Sequence, residues 1–101
     1  MGGISIVAKH LKDARLRAGL SQKQLGIQAG IDEFSASARI NQYERGKHTP
    51  DLQTLSRLAS VMQVPVPYFY CLDAELAAVI LKYSALEQSQ RRRLLGLMDQ
   101  L

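Results

Sequence analysis

Leu20 to Gly46 reads LSQKQLGIQAGIDEFSASARINQYERG, and the punctuation of that stretch decides the fold. Ser21 and Gln24 stand three residues apart. At that spacing a serine hydroxyl accepts from the later amide while the glutamine side chain reaches back to the earlier one. Leu20 and Leu25 bracket the cap as a hydrophobic staple. The spacing predicts a helix starting at Ser21, and Gly30 predicts its end about two and a half turns later, because glycine readily takes the left-handed conformation that closes a helix. Further on, Ile40 and Tyr43 are spaced to face a core, and Gly46 follows Glu44 and Arg45 as a stop. The stretch therefore reads as two short helices joined by a glycine-bearing turn.

Composition sets the bounds. The chain has 101 residues, 47% of them apolar, with no long apolar run, which describes one small domain with a modest core and nothing to span a membrane. The start MGGISI lacks the basic and apolar parts of a secretory signal, and Ile6 stands where myristoylation calls for Ser or Thr. A cytoplasmic location is the expectation. Cys71 is the only cysteine, so neither an internal disulfide nor a thiolate metal cluster is available, and it reads as a small buried apolar side chain. The net charge of +4 is unevenly placed: Met1 to Leu72 holds nine Lys and Arg against five Asp and Glu, whereas Asp73 to Leu101 holds four of each. The excess suits an anionic partner on the first region, nucleic acid foremost.

Working outward, Gly2 and Gly3 read as a frayed end. A helix follows from near Ser5 to Ala18, with Val7, Leu11, Ala14 and Ala18 on its apolar face and Gly19 as its stop. Lys9, Lys12, Asp13 and Arg17 make its solvated face. Arg15 falls beside the apolar stripe and needs either solvent or a carboxylate, for which Glu44 is the candidate. Beyond Gly46, Thr49 is read as a cap, Pro50 as the first helical residue and Asp51 as a first-turn acid, with Leu52, Leu55, Leu58, Ala59 and Met62 as the buried face. Pro65 and Pro67 break the chain, and a short helix over Tyr68 to Cys71 lays Phe69 on the core.

The remainder changes character. Asp73 caps a helix carrying Leu76, Val79, Ile80 and Tyr83 at helical spacing, and Ser84 with Glu87 reads as a capping box for a last helix with Leu94, Leu97, Met98 and Leu101. These stripes must be buried on the rest of the chain, on each other or on a second copy. Arg91, Arg92 and Arg93 read as a solvated face.

From about Lys9 to Phe69 the chain resembles the lambda-repressor-like helix-turn-helix regulators of the Cro/C1 or XRE type. The matching text is LKDARLRAGLSQKQLG, RINQYERGKHTPDLQTLSRLA and VPVPYF. The resemblance implies an all-α fold, a five-helix DNA-binding domain over residues 5–72 followed by one or two amphipathic helices over 73–101. It also implies a sequence-specific double-stranded DNA-binding regulator of transcription, a repressor acting as a dimer. Two departures stand out. Asp32 to Ser35 is an insertion of about four residues, leaving Asp32, Ser35 or Ser37 as possible caps of the second helix, and Gly26 sits where Ala is usual.

The recognition helix, about residues 35–45, would lie in the major groove, where Asn and Gln pair with adenine and an apolar methyl meets thymine. The resemblance places Ser37, Ala38 and Gln42 at base edges, with Arg39 reaching a base or a phosphate and Ser35 and Ala36 as additional contacts from the insertion. Gln22, Asn41, Arg45 and Lys47 would meet phosphates, and Arg15 with Glu44 would form a structural ion pair. A homodimer through the C-terminal helices is expected, with protein interaction through those helices, as in an antitoxin or phage control protein, as the alternative. His10 and His48 lack partners at metal-ligand spacing and read as surface residues. No paired carboxylates, nucleophile and base, or phosphate-cradling loop is evident, so neither enzyme activity nor a cofactor, metal or small-molecule effector is expected.

Overall fold

Residues 5–101, which the computed structural model describes, form seven helices and no strand. These are α1 (Ile6–Arg17), α2 (Gln22–Gln28), α3 (Ala36–Glu44), α4 (Leu52–Met62), α5 (Pro67–Tyr70), α6 (Ala74–Ser84) and α7 (Gln88–Met98). The fold is all-α. The frayed end read at Gly2 and Gly3 lies outside the described residues.

The core is assembled from the first five helices. Leu11 of α1, Leu25 of α2, Ile40 of α3, Leu55 and Leu58 of α4 and Phe69 of α5 are each completely buried, and each such side chain contributes roughly 1.5–3 kcal/mol of hydrophobic stabilisation. α2 packs against α3 at very close range. A Cβ built on Gly26 would lie 2.7 Å from the Ala36 Cβ and 3.0 Å from that residue's Cα and carbonyl oxygen. The space that an alanine methyl at position 26 would take is filled by the methyl of Ala36. Gly26 is therefore required by its partner.

Local chemistry sets most of the boundaries. Ser21 and Gln24 form the reciprocal capping box, at 3.0 Å and 2.8 Å, and Gly19, Gly30 and Gly46 take positive φ after α1, α2 and α3. Residues Asp32 to Ser35 widen the turn without lengthening α3. The Asp32 carboxylate accepts from the Phe34 amide at 3.0 Å, and the helix begins after Ser35, whose hydroxyl makes no capping bond. Phe34, at the tip, is 94% exposed.

Several expectations are corrected. The cap of α4 is Asp51, which accepts from the Thr54 amide at 2.8 Å, so Thr49 and Pro50 precede the helix. Leu52 falls on its exposed side, and Ala18 ends α1 facing solvent. The short helix starts at Pro67 and stops at Tyr70, leaving Cys71 half-buried. His10 is buried. Its Nε2 lies 2.9 Å from the Cys71 carbonyl oxygen and its ring lies against Tyr68, with centroids 4.4 Å apart. A carbonyl only accepts, so Nε2 carries a proton, while Nδ1 is buried with no hydrogen-bond partner among the described residues.

The last two helices stand off the core. α6 touches it through Ala77, Ile80 and Leu81, so Leu76 and Val79 of the expected stripe are left about half exposed. Ser84 belongs to α6, its hydroxyl donating to the Leu81 carbonyl, and α7 is capped by Glu87 with Gln90. Arg91 donates to the carbonyls of Tyr83 and Ser84, at 3.1 and 2.7 Å, and lies over the Tyr83 ring. It thus holds α7 to the end of α6 and is not simply a solvated charge. No residue of α7 is buried. The radius of gyration, 15.1 Å, exceeds the ~13 Å of a compact chain of about 100 residues, in keeping with a projecting tail.

Candidate nucleic-acid interface

The inner side of α3 is fixed by polar chemistry as well as by Ile40 and Tyr43. Arg15 of α1 donates from Nε to Glu44 Oε2 at 2.6 Å and from Nη2 to Oε1 at 3.0 Å, with both residues buried. Its remaining nitrogen, Nη1, donates to the Leu20 carbonyl at 2.9 Å. A planar guanidinium is suited to this fork, and burial without such pairing would be costly. Gln22, the first residue of α2, adds two donations from Nε2, to Glu44 Oε1 at 3.1 Å and to Asn41 Oδ1 at 3.3 Å. α1 and α2 thus both converge on the last turn of α3.

With that side anchored, the other is open. Ser37, Ala38, Arg39 and Gln42 are exposed on α3, and Arg45 and Lys47 are exposed just beyond it. The amides of Lys47 and His48 both donate to the Gln42 carbonyl, which folds the exit of the helix back on itself. Depressions flank α3 on both sides. One, of about 410 Å³, is lined by residues that include Lys9, Lys12, Asn41 and Arg45, and the other, of about 430 Å³, by residues that include Arg39, Gln42, His48 and Thr49. The helix stands between them as a ridge, and a helix about 10–12 Å across matches a major groove about 12 Å wide.

The expected residues do not all reach this surface. Ala36, read as an additional contact, is completely buried against Gly26 and belongs to the core. Ser35 is exposed at the start of α3, while Asn41 is half-buried with its oxygen engaged by Gln22. Lys9 and Lys12, read as ordinary surface, prove to line the first depression. No local pattern marks them, because their place beside α3 is set by how α1 crosses that helix.

Among the described residues, no group of three or more His, Cys, Asp or Glu could hold a metal, and no helix is long and apolar enough to cross a membrane. The architecture, a capped helix, a turn and an anchored helix inside a five-helix core, is that of a helix-turn-helix protein. The helix-turn-helix family profile matches residues 11–69, and the chain belongs to that family, in its Cro/C1 or XRE type. A search of functionally curated proteins returns no match. Among solved structures, the chain is similar to the crystal structure of transcriptional regulator BswR, with 53% identity, a TM-score of 0.88 and 93% of each chain covered.

Proposed function

We propose that this chain is a sequence-specific double-stranded DNA-binding regulator of transcription, acting as a repressor in the cytoplasm without enzymatic activity. The observation that carries the reading is the two-sidedness of α3. Its inner end is held by Arg15, Gln22 and Glu44, while Ser37, Ala38, Arg39 and Gln42 stand exposed on its outer face. In the major groove, Gln42 would pair with adenine, Ala38 would offer a methyl to thymine, and Ser37 and Arg39 would meet base edges or nearby phosphate, with Ser35 at the margin. Arg45, Lys47 and Asn41 would bind phosphates where the helix leaves the groove. Both hydrogens of the Gln22 side-chain amide are engaged within the protein, so its share of phosphate binding would fall to its main-chain amide.

A homodimer completes the proposal, because one domain of this kind meets a single half-site. Residues 5–72 would read DNA and residues 73–101 would pair the subunits, using the stripe of Leu94, Leu97, Met98 and Leu101, in which Leu94 is half-buried and the other three are exposed. The same exposed leucines favour a second reading, in which the tail holds a different protein. Selection from random duplexes tests the whole proposal. The expected outcome is a two-fold symmetric site whose log affinity falls linearly with log salt, by about 0.9 for each phosphate neutralised. Recovery of no preferred sequence, or affinity indifferent to salt, would overturn it.

A further inference from the structure

We propose that Lys9 and Lys12 of α1 form a phosphodiester-binding seat together with Arg45, extending the DNA contact surface from the helix-turn-helix pair onto the first helix. The inference rests on the reading of α3 as the recognition helix and adds to it a contact element outside the motif.

The depression of about 410 Å³ beside α3 supports this assignment. Its walls come from three helices: Lys9, Lys12 and Asp13 from α1, Gln22 from α2, and Asn41 from α3, with Arg45 at the helix end. Its base is the Arg15–Glu44 pair, in which the two charges cancel and the Glu44 carboxylate already accepts from both Arg15 and Gln22. The base therefore neither attracts nor repels an anion strongly. The rim decides the sign. Lys9 lies 3.2 Å from Asp13, which cancels one pair, whereas Lys12 and Arg45 make no ion pair among the described residues. Lys12 and Arg45, two cations without an ion-pair partner among the described residues, thus line the same depression from different helices.

Geometry selects the ligand. Arg45 and Asn41 lie where the recognition helix would leave the groove, so an anion in this depression sits beside a strand already in contact with the protein. A phosphodiester running past Arg45 meets Lys12 on the α1 wall. Lys9 is one turn of α1 away and can exchange its exposed partner Asp13 for the next phosphate, since such exposed pairs are weak. Lysine suits the task as a point charge on a flexible stem. The contact carries no base information, so it adds affinity without altering sequence preference.

The test compares the full-length wild type with Lys12→Gln and Lys9→Gln/Lys12→Gln. Lys82→Gln, on an exposed part of α6, is the control. Anisotropy titrations of the selected duplex are run across a salt series, with thermal melts to verify that each variant is folded. The slope of log affinity against log salt should become shallower by about 0.9 for the single variant and by about 1.8 for the double one. The control should keep the wild-type slope, and base preference should be the same in all four proteins. A wild type whose affinity depends on salt, beside lysine variants with an unchanged slope, would overturn this inference and leave the recognition helix standing. A change of base preference in Lys12→Gln would overturn it too, by making Lys12 a base reader. A wild type that binds no duplex would instead sink the reading on which the inference rests. A duplex bearing one uncharged methylphosphonate beside the Arg45 contact supplies an atomic check. It should bind wild type more weakly than the unmodified duplex and should make no such difference to the double variant.

Discussion

Arg15 and Glu44, 29 residues apart in the chain, meet as a buried two-point pair with 2.6 and 3.0 Å hydrogen bonds, and through it α1 grips the last turn of α3. Loss of either member leaves the other buried without its opposite charge. Glu44→Leu alone should cost roughly 3–5 kcal/mol, a fall in Tm of at least about 12 °C given 4–8 °C per kcal/mol for a chain of this size. The double variant Arg15→Met/Glu44→Leu should recover much of that loss, since no charge is then left unpaired. Thermal melts followed by circular dichroism check both values. A double variant no more stable than Glu44→Leu would show that the pair is not the source of the cost.

Gly26 and Ala36 form a second interlock between α2 and the start of α3. Gly26→Ala adds helix propensity worth up to about 1 kcal/mol, but the new methyl meets the Ala36 Cβ at 2.7 Å and that residue's Cα and carbonyl at 3.0 Å, and a Cβ fixed to backbone does not move aside cheaply. Overpacking of this kind costs about 1–3 kcal/mol, so the substitution should lower Tm. Adding Ala36→Gly should raise it again by opening the space. A melt in which Gly26→Ala is more stable than wild type would contradict the close approach.

Asp51 gives the fold one dependence on pH with a definite sign. Its carboxyl is held below its ordinary value of 3.8 chiefly by the Thr54 hydroxyl, then by the Thr54 amide, against an opposing contribution from desolvation, with the Arg57 charge adding least to the lowering. A carboxylate with a lowered folded-state pKa stabilises fully above its unfolded value and loses that contribution as pH falls through the folded one. Asp51→Ala should therefore melt below wild type at pH 7, and the gap should narrow as the pH is taken below 3.8. An unchanging gap would assign the effect of the substitution to something other than ionisation.

The tail has its own test. Leu97 and Met98 are more than half exposed on α7, so charging them leaves the core untouched while spoiling any surface they share with a second copy. Leu97→Asp/Met98→Asp should convert a dimer into a monomer by light scattering, with Tm otherwise lowered only by the loss of dimer stabilisation. A wild type that is already monomeric would remove the tail from the dimer role.

Much of this molecule could be read from local chemistry, and the exceptions share a cause. Ser21 with Gln24, and the glycines at 19, 30 and 46, act within a few residues of themselves, so their roles are written in their spacing. The start of α3 is different. Asp32, Ser35 and Ser37 are all competent caps, and the choice falls on Ser35 because Ala36 must pack on Gly26, a contact between helices. Thr49 and Asp51 pose the same ambiguity two residues apart. His10 was legible and was missed: Val7, His10, Leu11 and Ala14 recur at the spacing of one helical face, and a count restricted to apolar residues passes over the histidine. On the proposed binding surface, the exposed residues of α3 followed from the family resemblance, whereas the place of Lys9 and Lys12 depended on how α1 crosses α3, which no local pattern encodes.

The central claim is that the exposed side of α3 reads base edges, and Gln42 is where it is most directly tested. The measurement is an anisotropy titration at one fixed salt concentration, using the selected duplex and its full set of single-base replacements, with wild type, Gln42→Ala and Lys47→Ala. Wild type should discriminate at one adenine of each half-site by about 1–3 kcal/mol. Gln42→Ala should lose that discrimination at that position alone, while Lys47→Ala should weaken all duplexes by the same factor. A Gln42→Ala protein with the wild-type pattern of base preferences would contradict the account.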